Sequence, residues 1–302
     1  MKIWILTKRE WQASFHNIRF KETSKGLGIR CYTVCPEDLD IVTTKEGKSS
    51  IYYKGELATL PDCLIPRMGS ATSYFAHAVI RHCEHHDVLV LNSSDSIAVS
   101  KDKLATLQVL KNHNIPIPKT ILAKFPLDIG VIRKEFTFPI ILKTVSGSFG
   151  KGVFLCETRS KLKDTMDLME ISKDSKVNVI LQEFVKTSKG RDIRVFVIGG
   201  RPYGAMLRTA KRGKFKANVS AGGNFSNYEL NPTIEWLAVE SARILNLDIA
   251  GVDILFDGDK FLVCEVNSSP GFEGFEKATG LDIPKTIFEY IKLRLSEKNP
   301  IK

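Results

Sequence analysis

The sequence predicts a mixed α/β protein: two α+β lobes preceded by a small N-terminal α/β unit. Three observations carry that expectation. Residues 1–95 alternate short apolar strands with a helical stretch. A buried strand then ends at Lys143, beside a glycine-rich run. Finally, residues 251–267 read as two apolar strands joined by an Asp/Gly turn, with Asp253, Glu265 and Asn267 set inside them. The expected units are 1–95, 96–184 and 185–302.

At 302 residues the chain can build two or three lobes with cores of their own. Apolar residues make up 43% and charged residues 26%, the balance of an ordinary soluble protein. The start, Met1 to Lys8, meets charge too soon for a signal peptide, and no apolar run reaches membrane-span length. A soluble, cytoplasmic protein with no membrane partner is expected. The six cysteines are scattered and look like small buried side chains rather than a disulfide framework or zinc site. The cluster His82-Cys83-Glu84-His85-His86 matches no standard zinc spacing and is predicted to be a solvated helix end. The net charge of +10 attracts anions without choosing among nucleotides, nucleic acid and acidic substrates.

In chain order, Lys2–Thr7, Asp62–Pro66 and Val88–Leu91 read as strands, with a helix over Ser73–His86. Arg67 follows the second strand, where a strand gives way to a ligand-facing loop or to plain surface. One helix is predicted over Ser96–Asn112 from Ile97, Leu104, Leu107 and Leu110. Pro139–Lys143 is a buried strand, and Gly147, Gly150 and Gly152 stand in the run before the strand Val153–Cys156. Glycines there can close backbone N–H groups over phosphates, or simply make a hairpin turn. Val177–Val185 is a further strand, with Glu183 and Phe184 where it leaves the core, and Asp192 follows a Lys-Gly turn. Ile193–Ile198 and Pro202–Leu207 pair across Gly199-Gly200 and carry Arg194 and Arg208. The basic segment 211–216 leads to Asn218 and reads as solvated loop or as a grip on a triphosphate. Pro232–Asn246 and Ile283–Leu295 are helices.

In the closing hairpin, strand alternation puts Glu265 and Asn267 on one face. Asp253 joins them if it opposes Glu265, which sets Asp257 opposite Phe261 and makes the loop Gly258-Asp259-Lys260; an even-numbered loop is expected to turn Asp253 to the other face and break the constellation. Two carboxylates and an amide on one face repel unless a cation lies between them. All-oxygen ligands suit Mg²⁺ holding nucleotide phosphates. A merely solvated face leaves unexplained why these charges interrupt otherwise apolar strands.

The order Lys103, Lys143 with its glycines, Gln182-Glu183-Phe184, Asp192, Arg208, Asn218 and Asp253…Glu265-x-Asn267 resembles the ATP-grasp ligases. Ile65-Pro66-Arg67-Met68-Gly69, Asp102-Lys103-Leu104, Gly190-Arg191-Asp192-Ile193-Arg194, Ala250–Leu255 and Glu265–Gly274 are similar to the RimK-type glutamate ligases. The resemblance implies an ATP-grasp fold behind a pre-ATP-grasp domain. It implies that Lys103 and Lys143 hold ATP phosphates with Gly147, Gly150, Gly152, Lys216 and Asn218 near them. Glu183 and Phe184 would frame the adenine, Asp192 would accept from the ribose, and Asp253, Glu265 and Asn267 would hold two Mg²⁺ or Mn²⁺ ions. Arg67, Arg194, Ser268 and Ser269 are candidate substrate residues. Lys216 and Ala221 stand where these ligases carry arginine, and both departures bear on substrate choice.

The implied chemistry phosphorylates a carboxylate from ATP, after which an amine attacks the acylphosphate and releases phosphate. Arg208 is the candidate for stabilising the oxyanion. The expected partners are glutamate and the C-terminus of an acceptor protein or peptide, in a tetramer or dimer, with no nucleic acid required. The alternatives are ligation of an amino acid to a small metabolite, cofactor precursor or carrier protein, and a non-enzymatic basic module binding RNA or the ribosome. The last lacks an aromatic-basic recognition pattern.

Overall fold

The computed structural model describes residues 1–44, 50–123, 128–145, 152–171, 178–211, 215 and 223–298. The chain begins β1 (Lys2–Leu6), α1 (Phe15–Gly26), β2 (Arg30–Val34), β3 (Leu39–Val42), β4 (Ser50–Tyr53), β5 (Glu56–Leu57), β6 (Cys63–Pro66), α2 (Tyr74–His85) and β7 (Leu89–Val90). Four of these strands make a parallel sheet in the order β2-β1-β6-β7. β1 and β6 are apolar almost throughout because both their faces are covered. Ile3 and Ile5 pack with Phe20 of α1, while Trp4 and Leu6 pack with Val79 and Ile80 of α2. β3, β4 and β5 form a small antiparallel sheet beside them. The end of α2 differs from the expected solvated turn. His82 and Cys83 are buried, and the His82 ring lies against His86 with centroids 4.6 Å apart. The helix stays amphipathic to its last turn, so only one side of that cluster meets water.

Next come α3 (Ser94–Lys101), α4 (Lys103–Asn112), β8 (Thr120–Ala123), α5 (Ile129–Glu135), β9 (Ile140–Thr144), β10 (Val153–Cys156), α6 (Arg159–Ile171) and β11 (Val179–Glu183). The single helix predicted over Ser96–Asn112 is therefore two. Asp102 is extended, and its carboxylate accepts from the N–H groups of Leu104 and Ala105 at 2.9 and 3.0 Å. It ends α3 and caps α4. The apolar spacing runs straight through this break, so periodicity alone misses it. The four strands form an antiparallel sheet, β10-β9-β11-β8, with Ile132, Leu162 and Met166 packed against Ile140, Leu142 and Leu181.

The last part runs β12 (Arg191–Ile198), β13 (Arg201–Thr209), β14 (Asn224–Tyr228), α7 (Pro232–Ile244), β15 (Ile249–Asp257), β16 (Lys260–Asn267), α8 (Glu273–Thr279) and α9 (Ile283–Lys298). Its strands make a five-stranded antiparallel sheet in the order β14-β13-β12-β15-β16. On one face Val195, Val252, Ile254 and Val263 pack against Ile234, Leu237 and Ala238 of α7. On the other, Phe196, Ile198 and Met206 meet α8 and α9 in a core shared with β1, β6 and α1. No helix among the described residues is long and apolar enough to cross a membrane.

Asn92, after β7, ties the first sheet to the last. Its amide donates to the carbonyls of Ile249 (2.8 Å) and Ser268 (2.7 Å) and accepts from the Ile249 N–H (2.9 Å). Asn92→Leu leaves three backbone groups without their partner, two of them at the buried Ile249. It is expected to lower unfolding free energy by on the order of 2–4 kcal/mol in urea titrations; an unchanged midpoint would show that this joint carries no stability.

Candidate functional site

One face of the five-stranded sheet supplies the polar residues. Directly opposed residues share a face, and the register sets Arg194 opposite Met206 and Asp253, Asp253 opposite Glu265, Asp192 opposite Arg208, and Gly251 opposite Asn267. Asp253 and Glu265 do face each other as expected, but by a different route. Asp257 pairs with Lys260, so the loop is the two residues Gly258 and Asp259, not the three-residue Gly258-Asp259-Lys260. Gly258 takes the left-handed φ of 60° that such a turn asks of its first residue. A register shift after Asp253 leaves Cys264 as an extra residue in β16, a β-bulge. The bulge lets Val263 point into the apolar core while Glu265 points out of it. Alternation cannot reveal it, because one inserted residue offsets the even-numbered loop.

Gly251 is required by close packing. A Cβ there would lie 2.6 Å from Cβ of Pro270, so its absence seats the turn of residues 268–271 against the sheet.

Charge is matched tightly on this face. Arg194 donates through Nε and Nη2 to the two oxygens of Asp253, both at 2.7 Å. Arg208 donates Nη2 to Asp253 at 2.8 Å, and Nε and Nη2 to Asp192 at 2.6 and 2.9 Å. Arg208 is 3% exposed and Asp253 6%. Burial opposes the charge on Asp253, but Arg194 and Arg208 outweigh it and hold the carboxyl below its usual range. At Asp192 burial prevails over Arg208 and pushes the carboxyl up. Asp192 therefore spends its oxygens on Arg208, which positions a guanidinium in the middle of the face.

These residues floor a cavity of about 620 Å³. Lys143 and Glu183–Phe184 enter it from the antiparallel four-stranded sheet, and Lys103 from the start of α4. Lys143 Nζ donates to Gln182 Oε1 at 2.6 Å and lies 3.5 Å from Cys264 Sγ, so it bridges the two sheets. Glu183 accepts from the Lys119 N–H at 2.7 Å, which pins it where β11 ends. Arg67, Ser268 and Ser269 line the same cavity. Gly152 does not line it but adjoins it, with its carbonyl accepting from Thr144 N at 3.0 Å. Gly147, Gly150, Lys216, Asn218 and the Ala221 departure lie outside the described residues. Cys264, which the sequence presents as a small buried side chain, lines the cavity; His16 and Asn17, also in the lining, belong to α1, whose mostly polar stripe carries no apolar signal.

The oxygen donors suit a hard cation. Glu265 lines the cavity and makes no hydrogen bond or ion pair among the described residues. Asn267 donates its Nδ2 weakly to the Gly251 carbonyl at 3.4 Å, which leaves its oxygen open. Asp253 Oδ1 accepts only from Arg194 and keeps a lone pair. No group of three His, Cys, Asp or Glu side chains with metal-binding geometry occurs among the described residues. The set is thus carboxylate–carboxylate–amide, the chemistry of magnesium rather than zinc.

Known proteins resemble this chain along its whole length. The family model described as the RimK-like ATP-grasp domain matches residues 100–291, and the RimK PreATP-grasp domain matches residues 1–97. A probable alpha-L-glutamate ligase 1 of Hahella chejuensis is 36% identical, covering 99% of this chain and 97% of that protein. A probable alpha-L-glutamate ligase of Rhodopirellula baltica is 41% identical over 83% of this chain and 61% of its own length. Among solved structures, the ATP-grasp ligase PsnB with a phosphomimetic minimal precursor, Mg and ADP superposes with a TM-score of 0.73 at 20% identity, covering 97% of this chain and 98% of that one.

The buried charges should behave as one unit. Asp192→Ala leaves Arg208 short of a carboxylate and is expected to cost on the order of 3 kcal/mol. In the Asp192→Ala/Arg208→Met double variant the costs should fall well short of additive. Additive losses in denaturant titrations would contradict the pairing.

Proposed function

The chain belongs to the RimK-like ATP-grasp family of ATP-dependent, C–N bond-forming ligases, and on that premise we propose that it adds L-glutamate to the C-terminal carboxylate of a protein or peptide. The observation that most supports this reading is the convergence of Lys103, Lys143, Asp253, Glu265 and Asn267 on one cavity. The two lysines come from α4 and the four-stranded sheet and the spare oxygens from the five-stranded sheet, a pairing that suits a metal-bound triphosphate. The relatives named as glutamate ligases support glutamate as the amino acid, and the precursor held by PsnB supports a peptide acceptor.

In this reading Lys103 and Lys143 take the phosphate oxygens, and Phe184, just past the last ladder bond of β11, packs against the base. Glu183 is held by Lys119, so the backbone that follows it is fixed before nucleotide arrives. Glu265, Asn267 and the spare lone pair of Asp253 would hold Mg²⁺ (or Mn²⁺). The ion, when bound, neutralises phosphate oxygens and orients the terminal phosphoryl group.

Arg208 stands beside these donors with its orientation set by Asp192 and Asp253. Burial opposes its charge, yet the two carboxylates raise its proton affinity further, so it stays a fixed cation throughout. A guanidinium that need not reorganise is suited to the oxyanion formed when the amine attacks the activated carboxyl. Arg194 secures Asp253 from the neighbouring strand and keeps that carboxylate ionised.

Purified protein is expected to release ADP and phosphate only with both glutamate and an acceptor peptide present, with glutamyl additions visible by mass spectrometry. Glu265→Ala should bring turnover to background, while thermal unfolding shows a folded protein. Full activity in that variant would refute the assignment of Glu265, and turnover indifferent to glutamate would refute the amino acid.

A further inference from the structure

We propose that the crevice at the carboxyl ends of β1 and β6 binds a carboxylate of the incoming amino acid, with Arg67 as its cation and Asn17 as an acceptor for one of its N–H groups. The inference rests on the ligase reading above and adds the place where the second substrate sits.

Three observations carry it. The first is topological. In the order β2-β1-β6-β7 the chain steps from β1 to β2 on one side and later to β6 on the other, so the direction of winding reverses between β1 and β6. Crevices at such reversals, outside the carboxyl ends of parallel strands, are where open α/β sheets take ligands. Leu6 pairs with Pro66, which places Thr7 and Arg67 side by side at that edge.

The second is an uncompensated charge. Arg67 is half-buried; its Nη2 donates to the Pro270 carbonyl at 3.0 Å, and its guanidinium lies 5.5 Å from the centre of the Phe272 ring. Its Nε is buried with no hydrogen-bond partner. Burial pulls the group down to about 10, and no carboxylate offsets that. Arg194 and Arg208 in the same cavity each have an aspartate; Arg67 has none among the described residues. A desolvated guanidinium without an anion is costly, and a carboxylate can engage its fork. Neighbouring His16 carries no competing charge, since burial, followed by Arg67, pulls its imidazole down to about 3. It packs edge-on against Phe272, centroids 4.7 Å apart, and walls the crevice.

The third is an orphaned acceptor. Asn17 is 2% exposed and lines the cavity. Its amide nitrogen donates to Thr7 Oγ1 at 3.2 Å and to the Trp11 carbonyl at 2.7 Å. A carbonyl can only accept, so the amide orientation is fixed and the oxygen is the unpartnered atom.

Position decides which carboxylate is meant. Cys264 touches Lys143, and from there the chain runs past Glu265 and Asn267 to Pro270, which touches Arg67. The crevice therefore lies on the far side of the metal-type residues from Lys143. The acceptor carboxyl has to meet the terminal phosphate. A carboxylate kept at Arg67 is one that does not react, as on an amino acid whose amine is the nucleophile.

The test compares wild type, Arg67→Ala, Arg67→Lys and Asn17→Ser in steady-state kinetics with L-glutamate, glutamine and isoglutamine, the last two each lacking one carboxylate. Arg67→Ala is expected to raise the KM for glutamate about 10–100-fold with the KM for ATP within about twofold. One of the two amides should be a poor substrate for wild type and no poorer than glutamate for Arg67→Ala, which also tells which carboxylate is bound. Arg67→Lys should fall between, keeping charge but losing the fork. Asn17→Ser should raise the same KM. An unchanged glutamate KM, a shift in the acceptor KM instead, or an amide penalty that persists in Arg67→Ala overturns the subsite while the ligase reading stands. A folded wild type that turns over nothing with any amino acid overturns both.

Discussion

The double grip of Arg194 and Arg208 on Asp253 is the contact on which the site depends. A carboxylate on a sheet face, 6% exposed, stays ionised only if it is paired, and these two arginines reach it from two different strands. Each arginine is placed by register: Arg194 directly opposite Asp253, Arg208 opposite Asp192 and diagonal to Asp253. Once that lattice is set, Asp192 and Arg208 are held as well, each by the other. Glu265 is the carboxylate left outside the lattice. The acidic groups thus divide: Asp192 and Asp253 hold a fixed guanidinium, while Glu265 and one lone pair of Asp253 stay open.

The cavity exists because three sheets meet over that face. Lys143 carries the antiparallel four-stranded sheet onto Cys264, the Val263 N–H donates to the Pro116 carbonyl at 2.8 Å, and Asn92 binds the first sheet to Ile249 and Ser268. Each joint lands on β15, β16 or the turn after it. A change in the hairpin is thus felt by the lysines on one side and by Arg67 on the other.

Much of this arrangement was legible in the sequence, and the failures have physical causes. The polar residues inside apolar strands marked the hairpin, and Asp253 opposite Glu265 followed from pairing. The loop was misread because Cys264 adds a residue that alternation cannot display; two errors of parity, an even loop and a bulge, cancel at the site. The stretch Ser96–Asn112 looks like one helix in sequence because Asp102 breaks it with a cap and leaves the apolar stripe intact. α1 left no mark because it buries Asn17 and Ser24 alongside Phe20, so its inner face is partly polar. The arginine–aspartate lattice could not be foreseen, since it needs the register between strands some sixty residues apart in sequence.

On the ligase reading, the bulged hairpin presents Glu265 and Asn267, beside a secured Asp253, as oxygens for divalent metal carrying a nucleotide. Electron paramagnetic resonance of Mn²⁺ titrated into the protein with a non-hydrolysable ATP analogue tests it most directly. Wild type should bind the ion–nucleotide complex at one saturable class of sites, and Glu265→Gln, which keeps shape and loses charge, should weaken it more than about tenfold. Equal binding by both proteins would contradict this role for Glu265.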